Sequence, residues 1–296
     1  MRPRFVHLLL GIPLLIIGST AAAEKPALIL VPGTFHRASV YDEVKSRLED
    51  VGYEYVNAVD LPSNGYGVAD VERTADVDVV TQLLETRLED GEDVVLVGNS
   101  YGATVIMEAV RDFEDRSAVP AGEKTEGKGR ILGLIMLSGY IPTIAEVNHC
   151  PPRPDIRVIG APFFSYHDFL NSTPTLVSWD KDLAAYPPSL TFYNLLNASA
   201  AEYWTSQLLP SSFKALNATG TYVPYNGRFR TLYVVGEHDN CVGPAFAQGY
   251  IDQEGAEFEV EVIDGDHVPM LSRPELVVNV IRRFAEETVA GENEEL

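Results

Sequence analysis

Residues 93–113 read DVVLVGNSYGATVIMEAVRDF: an apolar run, a Gly-x-Ser-x-Gly turn and a helix-forming stretch in immediate succession. An apolar run without alternation marks a strand buried on both faces, the kind found in parallel sheets covered by helices. Gly98 and Gly102 let the chain turn sharply from strand into helix, and the turn raises the Ser100 hydroxyl above the sheet. The helix that follows directs the positive end of its dipole at the same point, where an oxyanion would develop. The five-residue match is weak by itself. With a strand before it and a helix after it, Ser100 becomes a candidate nucleophile.

Working outward, Ala27 to Val31 (ALILV) repeats the buried-strand pattern, and Tyr53–Val59, Arg130–Leu137, Thr231–Val235 and Phe258–Ile263 read as further strands. Val40, Val44, Leu48 and Val51 fall at helical spacing, and helices are also expected over 71–88 and from Tyr101 to about Phe113. Ser272-Arg273-Pro274-Glu275 has the form of a capping box with proline in the first turn, predicting a last helix that buries Leu276, Val277, Val280, Ile281 and Phe284. Alternating strand and helix predict an α/β chain with a doubly wound, mostly parallel sheet. The rhythm breaks between Pro142 and Arg228, which contains both tryptophans, so a mainly helical cap is expected there, inserted after the sixth sheet element. The expected organisation is a signal peptide at 1–23, a core at 24–141 and 229–290, a cap at 142–228 and an acidic tail at 291–296.

The chain has 296 residues, 46% of them hydrophobic, enough for a packed core and too many for intrinsic disorder. Its formal net charge of −21 repels nucleic acid and anionic membranes. Arg2 and Arg4, an apolar run from Phe5 to Ile17, and Ala21-Ala22-Ala23 form a signal-peptide pattern, so the chain is expected to be secreted and free of the membrane after cleavage. Sequons at Asn171, Asn197 and Asn217 are candidate glycosylation sites. Cys150 and Cys241 are the only cysteines, an even count for an oxidising compartment, and one bridge between them is expected to tie the cap to the loop after Asp239.

A serine nucleophile needs a base, and the base needs an acid to orient it. His267 follows the strand ending at Ile263 and is the candidate base; Asp239 follows the strand TLYVV and is the candidate acid. Both lie at carboxyl ends of strands, in the order serine, acid, histidine. Glu237 and His238 are the nearest competitors, while Asp264 and Asp266 read as turn-formers beside the base. His36, His149 and His167 show no metal-ligand spacing, so neither a metal nor another cofactor is expected.

From Leu28 to about Glu286 the chain resembles the α/β-hydrolase superfamily, specifically the branch of plant-type methyl esterases, hydroxynitrile lyases and fungal single-domain relatives. The resemblance rests on the Ser100 motif, on Pro32-Gly33-Thr34-Phe35-His36 after the first strand and on Asp60-Leu61-Pro62 after the second. It implies an oxyanion hole made by the backbone N–H groups of Thr34 and Tyr101. Gly33 and Val268 stand where the lyases carry threonine and lysine, which argues against cyanohydrin cleavage; Pro32 and Asn99 stand where the esterases often carry histidine. The expected activity is hydrolysis of a carboxylic ester of a small or medium-sized, fairly apolar molecule through an acyl-enzyme on Ser100. Phe35 and His36, with Phe163, Phe164, Tyr166, Trp179, Tyr193 and Trp204 from the aromatic-rich cap, are the candidate substrate-binding residues. Lactone or thioester hydrolysis, a lyase or cyclase step on the same triad, and non-catalytic small-molecule binding remain alternatives.

Overall fold

In chain order the first half builds β1 (Ala27–Val31), α1 (Asp42–Asp50), β2 (Val56–Ala58), α2 (Arg73–Glu89), β3 (Val94–Asn99), α3 (Tyr101–Ala109) and β4 (Ile131–Leu137). An excursion follows, holding α4 (Ile144–Val147), α5 (Ile156–Ile159), β5 (Ser165–His167), β6 (Leu176–Ser178), α6 (Pro188–Thr191), α7 (Ala198–Gln207), β7 (Ser211–Ser212) and α8 (Phe213–Asn217). Alternation resumes with β8 (Thr231–Gly236), α9 (Pro244–Ile251), β9 (Glu259–Ile263), α10 (Pro269–Ser272) and α11 (Pro274–Phe284). This is a computed structural model describing residues 25–118 and 127–287; the expected signal peptide, the acidic tail and most of the 121–129 loop lie outside the described residues.

Among the described residues six strands form one sheet in the order β2-β1-β3-β4-β8-β9, every pair parallel. Leu28 lies beside Val56 on one side and Val95 on the other, so β1 and β3 are central and read as unbroken apolar runs because both their faces are covered. Helix α1 packs on α11, and α2 on α3, the grouping expected when right-handed crossovers place the two sets on opposite faces of the sheet. From β1 the chain steps outward to β2 and then crosses back over β1 to β3, so the crevice beyond the carboxyl ends of β1 and β3 is a topological switch point, where ligands bind in open α/β sheets.

Several sequence expectations shift. The excursion leaves the sheet after its fourth strand rather than after a sixth element, because β8 and β9 follow it in the chain. Its longest piece is helical, yet it also holds a small antiparallel sheet, β5-β6-β7, whose two- and three-residue strands are too short to show alternation in the sequence. Helix α3 ends at Ala109 and a 3₁₀ turn over Arg111–Arg116 takes its place up to the expected end. The capping box does not form: Ser272 ends α10, and its hydroxyl donates to Asp266 Oδ1 at 2.6 Å. Leu276 is exposed, and Val278 joins the buried stripe of α11. Among the described residues no helix is long and apolar enough to cross a membrane.

Candidate active site

The turn from β3 to α3 is as tight as its glycines suggest. A Cβ on Gly102 would lie 2.4 Å from the Val31 carbonyl oxygen, and one on Gly98 would lie 2.6 Å from Ala103 N, so no larger residue fits at either place. Ser100 sits between them with φ 50° and ψ −123°, a left-handed backbone that costs a non-glycine residue about 1–3 kcal/mol and is held by the packing on both sides. Asn99, just before it, is buried and donates from Nδ2 to Leu137 O at 3.0 Å and to the backbone carbonyl of His267 at 2.9 Å. The sequence marked Asn99 only as a departure from its relatives; no local signal reveals that it ties the nucleophile strand to the loop after β9.

Loops at the carboxyl ends of β8 and β9 bring Asp239 and His267 together. His267 Nδ1 lies 3.0 Å from Asp239 Oδ2 and 3.1 Å from Oδ1, and both side chains are buried. Burial pushes the Asp239 carboxyl upward, but His267 and the backbone N–H of Cys241 outweigh it and hold the group below the usual range. The N–H groups of Cys241 and Val242 donate to Oδ1 at 2.7 and 2.9 Å, so the carboxylate is oriented by its own turn. Asp266 is more than a turn-former: it is buried and accepts from Ser272 and Val268 at Oδ1 and from Leu195 N in the excursion at Oδ2. The competitors lie apart, His238 pairing on the surface with Asp264 at 3.1 Å.

The loop after β1 is braced from two sides. Thr34 Oγ1 donates to Ser211 Oγ at 2.6 Å, and the Phe35 N–H is shared between Ser211 Oγ and Asn64 Oδ1. Asn64 Nδ2 donates to Gly33 O and His36 O. Neither the Thr34 nor the Tyr101 backbone N–H finds an acceptor among the described residues, which leaves two donors free at the cavity they both line. His36 is buried between Thr34 O, 2.9 Å from Nδ1, and the Tyr193 hydroxyl, 2.8 Å from Nε2. The carbonyl requires the proton on Nδ1, so Tyr193 donates to Nε2. Burial, opposed by the Thr34 hydrogen bond and assisted by repulsion from His267, lowers the His36 pKa to about 4.

Ser100, His267, Thr34, Tyr101 and Phe35 share one cavity of about 280 Å³. Sequence reading found Phe35, Phe163 and Phe164 but missed Tyr140, Ile156, Tyr186 and Phe246, and among the described residues no lysine, arginine, aspartate or glutamate lines the space. His36, Tyr166, Trp179, Tyr193 and Trp204 are not on its wall. Trp179 instead packs edge-on against Phe35 at 5.6 Å, and Tyr193 supports His36. The expected Cys150–Cys241 bridge is absent: Cys150 is exposed past the end of α4, whereas Cys241 faces the cavity beside Asp239. Burial and the neighbouring carboxylate push the Cys241 thiol well up. Asp239, Cys241 and His267 bring possible ligand atoms within 4.8 Å of one another, but His267 Nδ1 carries the proton it donates to Asp239 and so has no lone pair to offer a metal on that side. Asn171 and Asn197 are exposed, and Asn217 accepts at Oδ1 from Ile156 N at 2.7 Å.

The family model described as alpha/beta hydrolase family matches residues 28–280. The chain belongs to that family. An alpha/beta hydrolase, nvfD, from Aspergillus novofumigatus is 27% identical over 267 residues, covering 90% of this hydrolase and 98% of the relative. Methyl jasmonate esterase 1 from Vitis vinifera is also 27% identical over 267 residues, covering 83% and 91%. An alpha-hydroxynitrile lyase and a methylesterase from Arabidopsis thaliana match as well. The crystal structure of a methylesterase protein, MES16, from Arabidopsis superposes with a TM-score of 0.67 at 18% identity, covering 88% of this chain and 99% of that one, which shows the shared fold. Esterases are thus among the relatives of this hydrolase.

Proposed function

We propose that this hydrolase cleaves a neutral carboxylic ester through an acyl-enzyme on Ser100. One observation carries the reading: a buried carboxylate, Asp239, orients His267 on the wall of the cavity that also holds Ser100 and two unpaired backbone N–H groups. His267 removes the Ser100 proton as Oγ attacks the ester carbonyl, Asp239 steadies the imidazolium, and the Thr34 and Tyr101 amides receive the oxyanion. The same histidine protonates the departing alkoxide and then activates the water that releases the acid. The apolar, uncharged wall supports a substrate of small or medium size without a formal charge, and offers nothing to hold a carboxylate tightly. The leader pattern at residues 1–23 supports a secreted enzyme.

The test is labelling by a fluorophosphonate beside hydrolysis of p-nitrophenyl esters of graded acyl length, for wild type and Ser100→Ala. Wild type is expected to label and to turn over short esters fastest, and the variant to lose labelling and at least about 10³-fold in kcat/KM. A folded wild type that neither labels nor hydrolyses any ester in the series would overturn the proposal in favour of binding without catalysis.

A further inference from the structure

We infer that Tyr101, Asp76 and Arg73 form a positioning network that fixes the Tyr101 backbone N–H in the oxyanion hole and ties it to the excursion over the site. The inference rests on the acyl-enzyme reading above and gives a role to a side chain that a backbone donor does not itself require.

Tyr101 is the first residue of α3, directly after Ser100. Its hydroxyl donates to Asp76 Oδ2 at 2.8 Å, and Asp76, completely buried on α2, accepts the Ser63 N–H at Oδ1, also at 2.8 Å. Arg73 lies three residues earlier on the same helix, so both side chains emerge on one face. Its guanidinium stands 5.8 Å from the centre of the Tyr101 ring. Nε donates to Ala215 O at 3.2 Å, Nη1 to Glu108 Oε1 at 3.1 Å and to Thr219 O at 3.3 Å, and Nη2 to Ala218 O. Glu108, near the other end of α3, also accepts the Thr221 N–H at 3.1 Å. The first and last turns of the nucleophile helix are thereby linked to α2 and to residues 215–221 of the excursion.

Burying Asp76 and the Arg73–Glu108 pair is costly, and apolar side chains of the same volume would satisfy packing at least as well. What an apolar set could not do is fix the azimuth of the Tyr101 ring. The phenol is held at its tip by Asp76 and flanked by Arg73, so the residue cannot rotate about its own Cα without breaking a buried hydrogen bond. Its N–H then stays aimed where negative charge develops, and displacements well under 1 Å at such a donor are felt in the rate.

The experiment uses the full chain with Tyr101→Phe and Asp76→Asn, reading kcat and KM on a p-nitrophenyl ester. It also reads inhibition by a trifluoromethyl ketone, which becomes an alkoxide adduct when Ser100 Oγ bonds to its carbonyl carbon and the serine proton passes to His267. The matching methyl ketone, bound without an adduct, is the control. Both variants are expected to lose about tenfold in kcat with KM within about twofold, and to weaken trifluoromethyl ketone inhibition by the same factor while leaving the methyl ketone unchanged. A network that only supports the fold would lower the melting temperature and leave kcat and the ketone ratio alone, which overturns the inference. Should Tyr101→Phe fail to fold, the isosteric Asp76→Asn carries the same readouts. Wild type inactive on every ester overturns the acyl-enzyme reading and this inference together; active wild type with variants of wild-type kcat overturns this inference alone.

Discussion

At Asn99 a single amide nitrogen satisfies two buried carbonyls, one on the neighbouring strand and one on the residue proposed as base. Removing it leaves His267 O without a donor and Leu137 O with only the Ser100 N–H, a loss of about 1–3 kcal/mol for the buried carbonyl left unpaired. Asn99→Ala is therefore expected to lower the free energy of urea unfolding by about 1–3 kcal/mol and kcat/KM by about tenfold, the second because the His267 loop loses its tie to β3. Equal loss of stability with unchanged kcat/KM would show that the tie supports the fold alone. Asn99 also marks the limit of sequence reading at this scale. That Ser100, Asp239 and His267 lie at one edge of the sheet was legible because each follows a strand readable in the sequence, and the carboxyl ends of strands in a parallel sheet share one edge. Asn99, Asn64, Ser211 and Asp76 act through partners dozens of residues away, and their local sequences carry no sign of it.

At the scale of elements the alternating core was readable from apolar runs and helical spacing, and the excursion was not. Its strands are two or three residues long, and its longest helix, α7, buries only Ala201. Yet β7 is what brings Ser211 to the loop after β1, because pairing with β6 sets Ser211 beside Val177 and an isolated bridge sets it beside Asn64. Ser211→Ala removes the acceptor of the Thr34 hydroxyl, one of two acceptors of the Phe35 N–H, and the donor to Asn64 Oδ1. We expect kcat/KM for a p-nitrophenyl ester to fall by about tenfold, as the loop carrying the Thr34 amide loosens. The neighbouring Ser212→Ala is the comparison: Ser212 caps α8 and donates to Val71 O, so its loss is expected to cost about 1 kcal/mol of stability and little kcat/KM. Indistinguishable kcat/KM values for the two variants would refute a specific role for β7.

At the scale of the whole molecule, stability couples to pH through groups where core and excursion meet. His36, in the loop after β1 and hydrogen-bonded to Tyr193 of the excursion, has its pKa lowered to about 4 from an ordinary value of 6.5 by burial and by repulsion from His267. Between those values the unfolded chain binds a proton that the folded chain refuses, so the contribution is full above pH 6.5 and is lost as pH falls towards 4. Its full size is about 3 kcal/mol. Asp239, held low, acts in the same direction at lower pH, while Asp76 and Asp266, pushed up by burial, act in the opposite direction. A single variant isolates the histidine. His36→Gln is expected to be less stable than wild type at pH 7 and to lose about 2–3 kcal/mol less between pH 7 and pH 4.5, measured by urea unfolding at fixed ionic strength. Fixed ionic strength matters because a chain with net charge −21 at pH 7 also relieves self-repulsion as its carboxylates protonate, a stabilising trend that both proteins share and that their difference removes. Parallel stability curves for the two proteins would mean that His36 takes up its proton as readily in the fold as in the unfolded chain, and that its buried site does not hold it neutral.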